Sequence, residues 1–506
     1  MSSFPSVGRR QLLLGAGAAG AVAALGVAVR PAAAAESLVH PGMLHTDADL
    51  TRIRGKLAAG DATVTAGWQR LTANGRSHSS WTPRPLATVV RGGTGQNYAQ
   101  FYFDVHAAYQ NALRWRISGE KAYADTAAAI LNAWSSTLTQ VTGNADRFLA
   151  AGIYGYQLAN AAELMRGYEK FDLAGAQRLL RNVFYPLNDD FLNRHNDACI
   201  TNYWANWDLC TLASVLAIGI LCDDRALVDR AVTYLRTGAG NGAIRNAVPI
   251  LHGDLGQWQE SGRDQGHTVL GIGLLGTICE MAWNQGVDLY GYDDNRFLKG
   301  AEYVARYNLG QDVPFSPYHW GNGTTCAPQT QTVISAASRG QLRPVWELVL
   351  NHYVKRRGLS APNVTAMAAT VRAEGGGGDY GSDSGGYDQL GFGTLMFTRD
   401  SATAANATTT SASLAPAAAT SAAAARGHGS RASRATTPRA GGTGQPSRTP
   451  TAAASRAFDL AGEHSTAGSA TGALAAVGGA GAVAVALLLR LRTRRRSPGG
   501  TPGTGS

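Results

Sequence analysis

The sequence predicts an all-α fold, an (α/α) barrel or toroid built from helical hairpins. Apolar residues recur at three- and four-residue spacing in segments that are longer than typical strands, and alternating β-branched runs are scarce. Short loops join successive segments, and no repeat of fixed length is visible. These observations favour a closed array of hairpins over an open solenoid.

The periodic segments give the predicted helices, and several of them end near a glycine. Glycine adopts the left-handed conformation that commonly ends a helix, so it marks the C-terminal boundary. The predicted helices span residues 100–117, 123–138, 148–168, 207–222, 226–238, 268–286 and 342–358. The boundary glycines are Gly238, Gly286, Gly310 and Gly358.

The N-terminal region, residues 1–35, has the pattern of an export signal. Arg9 and Arg10 precede a Gly/Ala-rich apolar run that ends in Pro31 and four alanines. The arginine pair makes this signal twin-arginine-like, and an ordinary Sec signal with adjacent arginines is the alternative. Both interpretations predict an exported protein whose folded domain spans residues 36–400.

The C-terminal region predicts a tether and a membrane anchor. Residues 401–469 consist mainly of Ala, Thr, Ser, Gly, Pro and Arg, a composition that predicts a disordered linker. Residues 470–489 form an uncharged apolar run of the ~20 residues that a bilayer requires. The basic tail, residues 490–506, is predicted to be cytoplasmic. We therefore expect the folded domain outside the cell, anchored to its membrane.

The same region resembles the C-terminal sorting signals of Gram-positive surface proteins. The nearest match to their motif, residues 460–464, lacks the Thr-Gly that a sortase cleaves. We therefore favour a retained membrane anchor over covalent attachment to the wall.

Charge and cysteine content exclude two classes of function. The net charge is +10, but 14 of the 45 Lys and Arg residues and only two of the 35 Asp and Glu residues lie outside residues 36–400. The folded domain is therefore close to neutral, which argues against nucleic-acid binding. Five cysteines occur without metal-ligand spacing, so we expect no structural zinc. Four of them are predicted to lie in apolar helical segments. The sequence leaves open whether two of the five form a disulfide.

Three polar and aromatic clusters carry the candidate chemistry. In the first, Asn202 and Asn206 would share a face if the helix has already begun at Asn202, and Trp204 and Trp207 lie beside them. Two amides and two indoles could hold a sugar carboxylate and stack on a ring. Helix capping and core packing are the alternative roles.

The second cluster lies at the mouth of the helix predicted for residues 268–286. Arg263 and Gln265 surround His267 within one turn, which favours a functional histidine. Asp264 is predicted to orient its neighbours or to cap the helix. Glu260 and Asp264 are also the candidate pair of carboxylates that a glycoside hydrolase would need.

The third cluster follows the next helix on a loop rich in Pro and Gly. It contains Tyr307, Tyr318 and His319, and loops on rigid scaffolds often carry function. Further on, Arg339 and Arg343 could meet an anion or pair with Glu347. Residues 374–380 predict a tight closing loop that lacks the Lys-Ser/Thr of a phosphate loop.

Four segments resemble the bacterial alginate lyase family, and together they cover about residues 40–398. They read HPGMLHTDADLTRIRGKL, NYWANWDLC, QWQESGRDQGHT with the helices after it, and EGGGGDYGSDSGGYDQLGFGTL. The resemblance implies an (α/α) toroid that cleaves a β-linked polyuronate, alginate (mannuronan) or glucuronan, by β-elimination. It implies an anionic polysaccharide as partner and requires neither a metal nor another cofactor.

The resemblance also implies roles for single residues. Asn206 and His267 would neutralise the substrate carboxylate with support from Arg263, and Tyr318, ahead of Tyr307, would act as base and acid. The substrate-binding residues would be Asn202, Trp204, Trp207, Gln265, Tyr307, His319 and Arg339. Better-known alginate lyases have Asn-Asn-His before Tyr-Trp-Ala, whereas residues 199–202 here contain no histidine. This chain would belong to another branch, in which His267 takes that role.

Two other functions are compatible with the same cleft. One is a surface-anchored protein that binds polysaccharide without cleaving it. The other is a glycoside hydrolase on the same toroid.

Overall fold

The computed structural model describes residues 37–321, 323–378, 380 and 387–402. The chain divides into the units Met1–Ser37 and Leu38–Ser506, and every element below belongs to the second. The helices are α1 Asp47–Ala58, α2 Ala62–Ala73, α3 Tyr98–Ser118, α4 Lys121–Thr137, α5 Asp146–Leu164, α6 Leu173–Leu179, α7 Tyr185–Arg194, α8 Ala205–Leu221, α9 Arg225–Thr237, α10 Ile244–Ala247, α11 Gln265–Asn284, α12 Tyr292–Asn308, α13 Trp346–Leu350, α14 Pro362–Val371 and α15 Gly393–Met396. The prediction of a mostly helical fold is confirmed.

The helices contact one another in a closed series. α1, α3, α5, α8, α11, α13 and α15 each touch the next, and α15 returns to α1. Other helices pack onto members of this series: α4 onto α3, α7 and α9 onto α8, α12 onto α11, and α14 onto α13. A closed inner series with outer partners is the arrangement that a toroid of helical hairpins requires.

Burial explains why α8 and α11 lie inside this arrangement. Every residue of α8 is buried, and so are nearly all residues of α11. A helix that is apolar on all sides must be covered on all sides, whereas an amphipathic helix such as α9 buries one face. Their N-termini, Ala205 and Gln265, carry the first and second polar clusters.

Six short strands form three two-stranded sheets that the sequence did not predict. β1 Thr88–Val90 pairs in parallel with β2 Gln140–Thr142, and β3 Ile250–His252 pairs antiparallel with β4 Leu255–Gln257. β5 Tyr318–Trp320 pairs antiparallel with β6 Gln329–Gln331, so that Tyr318 lies opposite Gln331. Each strand has three residues, too few for a recognisable alternation of apolar and polar side chains.

The glycines near helix ends have two different physical reasons. Gly286, Gly310 and Gly358 have positive φ values of 79°, 86° and 68°, as the sequence predicts for helix ends. Gly238 has φ −62°, but a Cβ there would lie 2.6 Å from the Tyr234 carbonyl oxygen. Space, and not backbone conformation, therefore requires that glycine.

The helix predicted for residues 342–358 agrees with the structure only in part, whereas the predicted closing loop agrees well. The segment 342–358 becomes helical only at Trp346 and continues from α13 as π-helix over Asn351–Arg356. The glycine-rich loop after Glu374 does pack tightly, because a Cβ on Gly377 would lie 1.7 Å from the Gln389 carbonyl oxygen. The tight closing loop is therefore confirmed for its described residues.

The predicted export signal, linker, membrane span and cytoplasmic tail lie outside the described residues, apart from Ser401 and Ala402 of the linker. Among the helices that the structure describes, none has the length and apolar character needed to cross a bilayer.

Candidate functional site

Asp264 organises the start of α11. One of its carboxylate oxygens accepts the backbone N–H of His267 at 2.8 Å, and the other lies 2.7 Å from Nδ1 of the His267 ring. Asp264 is also the N-cap residue of α11. The prediction that Asp264 caps the helix and orients its neighbours is confirmed.

Arg263 settles which nitrogen of His267 carries the proton. Its Nη2 lies 3.2 Å from Nε2 of His267, and an arginine can only donate. Nε2 therefore accepts, and Nδ1 carries the hydrogen that it donates to Asp264.

The protonation states of His267 and Asp264 follow from their burial and from their contacts with each other and with Arg263. Burial and the Arg263 guanidinium lower the pKa of His267, so the ring is neutral at pH 7. Burial opposes ionisation of Asp264, but the His267 hydrogen bonds and Arg263 outweigh it and hold the pKa of that carboxyl at about 2. The His267 side chain is 42% exposed, so a ligand can reach it.

Glu260 connects this group to the start of α8. Its carboxylate is fully buried and accepts from the backbone N–H of Asn206 at 3.0 Å, from Asn206 Nδ2 at 3.1 Å and from Arg263 Nη1 at 3.0 Å. Burial raises the pKa of Glu260 to about 7, although the Arg263 charge opposes the rise. Asn206, Arg263 and His267 are thus brought together as the sequence predicted.

A series of aromatic rings connects Arg263 to Tyr318. The Arg263 guanidinium lies 4.9 Å from the centre of the Trp204 ring, and Trp204 lies 4.7 Å from Trp320. Trp320 and Tyr318 are nearly parallel, with centres 6.0 Å apart. Burial raises the pKa of Tyr318 to about 12, and the Gln259 side chain counteracts part of that rise.

A disulfide ties the two aromatic segments together. Cys199, on the loop before α8, is bonded to Cys326, on the loop between β5 and β6. Cys210, Cys222 and Cys279 are free. The prediction that four cysteines lie in apolar helices is therefore wrong, because only the three free cysteines lie in or at the ends of helices.

Two members of the first cluster lie elsewhere than predicted. α8 begins at Ala205, so Asn202 precedes the helix, and the prediction that it shares a helical face with Asn206 is wrong. Trp207 is 5% exposed and packs with Phe148, Phe191 and Tyr203. Its contacts are those of a core residue, and its role in substrate binding stays a prediction.

The remaining predicted binding residues are mostly engaged within the protein. Gln265 is buried, and its amide bonds Ser261, Ser335 and Asn308. The Arg339 guanidinium lies 3.9 Å from the centre of the buried Tyr307 ring and donates to backbone carbonyls. His319 is exposed on the opposite side of β5 from Tyr318 and Trp320, and it bonds Thr330. Their binding roles stay predictions.

Arg343 pairs with a partner that the sequence did not suggest. It is 2% exposed and donates to Asp388 at 2.9 Å and to Gln389 at 3.0 Å. Glu347 instead forms its ion pair with Arg372. Arg343 also lies close enough to His267 to contribute to the low pKa of that ring.

Gln259 and Trp320 are site residues that the sequence argument missed. Trp320 lies on the same side of β5 as Tyr318, but a strand of three residues gives no pattern from which this could be predicted. No local pattern indicates Gln259, since its partners lie on α8 and β5. Among the described residues, no group of three or more His, Cys, Asp or Glu side chains is placed to hold a metal ion.

One family model covers the part of the chain that contains α8 and α11. The model of the family described as alginate lyase matches residues 85–314. That range includes Asn206, Glu260, Arg263 and His267, but it ends four residues before Tyr318. Curated proteins give no match.

Solved structures of one alginate lyase are similar to this chain. Alginate lyase A1-III from Sphingomonas species A1 shares 16% identity over 72% of this chain and 97% of that chain, with a TM-score of 0.46. A substituted form of alginate lyase A1-III complexed with a tetrasaccharide shares 17% identity over 53% of this chain and 78% of that chain, with a TM-score of 0.38. The assignment rests on the family model. Residues 85–314 are therefore similar to the alginate lyase family, and the chain is a polysaccharide lyase.

Proposed function

We propose that this lyase cleaves a β-linked polyuronate, alginate (mannuronan) or glucuronan, by β-elimination without a metal ion. The observation that carries the proposal is that Asn206 and Arg263 bond buried Glu260, that Arg263 bonds His267, and that aromatic rings connect Arg263 to Tyr318. Donors for a carboxylate and a tyrosine for proton transfer are the two requirements of the reaction.

The first step is stabilisation of the substrate carboxylate. The proton on C5 is weakly acidic, and hydrogen-bond donors on the neighbouring carboxylate stabilise the enolate-like intermediate. Asn206 Nδ2 carries two hydrogens, and Glu260 accepts one of them, which leaves one for the substrate. A substrate carboxylate at the exposed side of His267 raises the pKa of the ring, so that Nε2 takes up a proton in place of the hydrogen bond from Arg263 and donates to the carboxylate.

The second step is transfer of the C5 proton. The Tyr318 phenolate accepts this proton, the C4–O4 bond breaks, and a C4–C5 double bond forms. The Tyr318 hydroxyl then gives a proton to the departing O4. Tyr318 fits this role better than Tyr307, since rings connect Tyr318 to Arg263 whereas Arg339 covers Tyr307.

The full-length chain incubated with polymannuronate and with polyglucuronate tests this proposal. Elimination creates a conjugated unsaturated uronate, which absorbs in the ultraviolet. We expect this absorbance to rise with at least one polymer and to be unaffected by a chelator. New reducing ends without the absorbance would favour the glycoside hydrolase, and binding without either product would favour a binding protein.

Two tyrosine variants test the assignment of the base. Tyr318→Phe is expected to abolish elimination, and Tyr307→Phe to retain it. Melting temperatures of both variants show whether each one folds. The reverse pattern of activities would move the base to Tyr307.

We also propose that the protein works outside the cell on a membrane anchor. The Cys199–Cys326 disulfide supports this location, because disulfides persist in oxidising compartments. Protease treatment of intact cells should release the folded domain, and a chain resistant to protease until lysis would contradict the proposal.

A further inference from the structure

We propose that Gln259 is a positioning residue for Tyr318, which holds the tyrosine in place and donates a hydrogen bond to its phenolate. This inference rests on the proposed function, in which Tyr318 is the base. It adds a residue that acts on Tyr318 and on the start of α8 at the same time.

The orientation of the Gln259 amide is fixed by α8. Its Oε1 accepts the backbone N–H of Ala205, the first residue of α8, at 3.0 Å. Trp204, the N-cap residue, makes no capping bond with its own side chain. Gln259 and the adjacent Glu260 therefore supply acceptors to the first two N–H groups of α8. Since Oε1 must face the helix, Nε2 must point away from it.

The Nε2 group of Gln259 lies next to Tyr318. Gln259 is fully buried, and among the described residues its Nε2 makes no well-formed hydrogen bond. It is nevertheless close enough to the Tyr318 hydroxyl to lower the pKa of that phenol. A buried donor without a good acceptor is unfavourable, and a phenolate on Tyr318 would satisfy it.

The backbone of Gln259 is tied to the same hairpin. Its carbonyl accepts from Nε2 of Gln331 at 3.0 Å, and Oε1 of Gln331 accepts the N–H of Gly262 at 2.7 Å. Gln331 is the residue that pairs with Tyr318 across β5 and β6. Side chain and backbone of Gln259 therefore both fix the position of Tyr318.

The charged residues near Gln259 do not take over its interaction with Tyr318. Glu260 and Arg263 lie on the same segment as Gln259 but bond each other and Asn206 or His267. His319 lies on the other side of β5. Burial raises the pKa of Tyr318, and the Gln259 side chain opposes it. Loss of this donor should therefore raise the pKa of the tyrosine further.

Gln259→Glu separates the two roles of the side chain. The carboxylate keeps an oxygen for the N–H of Ala205 but loses the donor to Tyr318. In the full-length chain, above about pH 8 where the new carboxylate is ionised, we expect kcat to fall at least ~10-fold with KM within ~3-fold. The limb of the pH profile on which activity rises with pH should move to higher pH, with the melting temperature nearly unchanged. Gln259→Met, which removes both groups, should show the same shift together with a lower melting temperature.

A profile of Gln259→Glu equal to that of the parent chain would overturn the inference, and so would a fall in kcat and melting temperature without a shift. If Gln259→Glu does not fold, the profile of Gln259→Met decides between the same outcomes. Full activity of Tyr318→Phe would instead overturn the base assignment of the proposed function. Loss of activity in Tyr318→Phe beside an unshifted Gln259→Glu would overturn this inference alone.

Discussion

The imidazole of His267 is held in one tautomer by two neighbours of opposite character. Asp264 accepts from Nδ1, and Arg263 donates to Nε2. Exchange of the two ring nitrogens would leave Nε2–H facing an arginine donor. The single lone pair of Nε2 therefore faces Arg263, and the ring can take up a proton there only when that hydrogen bond gives way.

Asp264→Asn tests this orientation. Asparagine caps helices about as well as aspartate, so the cap is kept, but loss of the charge that lowers the pKa of Asp264 should reduce the free energy of unfolding by about 2 kcal/mol. Its amide can donate to Nδ1, which would favour the wrong tautomer. We expect kcat for polyuronate cleavage to fall ~10-fold or more. Asp264→Ser keeps the cap but is too short to reach the His267 ring. It should also lose activity, which would show that the contact with the ring, and not the cap, is required. Normal kcat in both variants would contradict an orienting role.

At the scale of elements, the hairpin β5–β6 is held at its base and at its loop. Gln331 fastens the base to the segment before α11, and the disulfide fastens the loop to the segment before α8. Both connections join elements that are distant in sequence. The position of Tyr318 therefore depends on the hairpin as a unit.

The double variant Cys199→Ser/Cys326→Ser should lose activity while the helical circular dichroism stays the same. The two cysteines are 127 residues apart, and release of so long a loop should lower the free energy of unfolding by up to about 4 kcal/mol. Cys222→Ser removes a thiol that forms no disulfide and should behave like the parent chain. Unchanged kcat in the double variant would show that Gln331 alone positions the hairpin.

Elements with a strong period were predictable, and short elements were not. The apolar runs of α8 and α11 predicted both helices to within a few residues of their ends. The start of α8 was missed at Asn202, since no cap residue marks it and the caps come from Gln259 and Glu260. The packing of Trp207 against Phe148 and Phe191 could not be predicted, because it is a long-range contact that no local pattern reveals.

For the whole molecule, the sequence predicted the members of the site better than the contacts among them. Asn206, Arg263, His267 and Tyr318 were all named from local clusters, and the structure brings them together. The carboxylate of Glu260 and the amide of Gln259 connect these residues. Each of the two groups bonds a residue more than 50 positions away in the chain. Such pairings depend on the packed fold, so composition and spacing could not indicate them.

Two buried carboxyl groups contribute stability to the molecule that is lost as pH rises from about 5 to 8. Burial raises the pKa of Glu260 from 4.5 to about 7, and burial with the Glu347 charge raises that of Glu374. A group with a raised pKa in the folded state holds its proton there while the unfolded chain releases it. Stability is therefore lost as pH rises above 4.5 until the folded group ionises, by about 3 kcal/mol for Glu260.

Asp264 sets the opposite limit, because its pKa is lowered to about 2 and its contribution is lost as pH falls below about 4. Urea unfolding at pH 5 and pH 8 measures the predicted change. Buried histidines with lowered pKa values, such as His45 and His106, act in the opposite direction, so the comparison is between slopes. Between pH 5 and pH 8 the stability of Glu260→Gln, which cannot ionise, should change more favourably than that of the parent chain. Glu120→Gln replaces an exposed carboxyl on the surface and should keep the parent slope. Equal slopes for the parent and Glu260→Gln would show that Glu260 is ionised in the folded protein throughout this range.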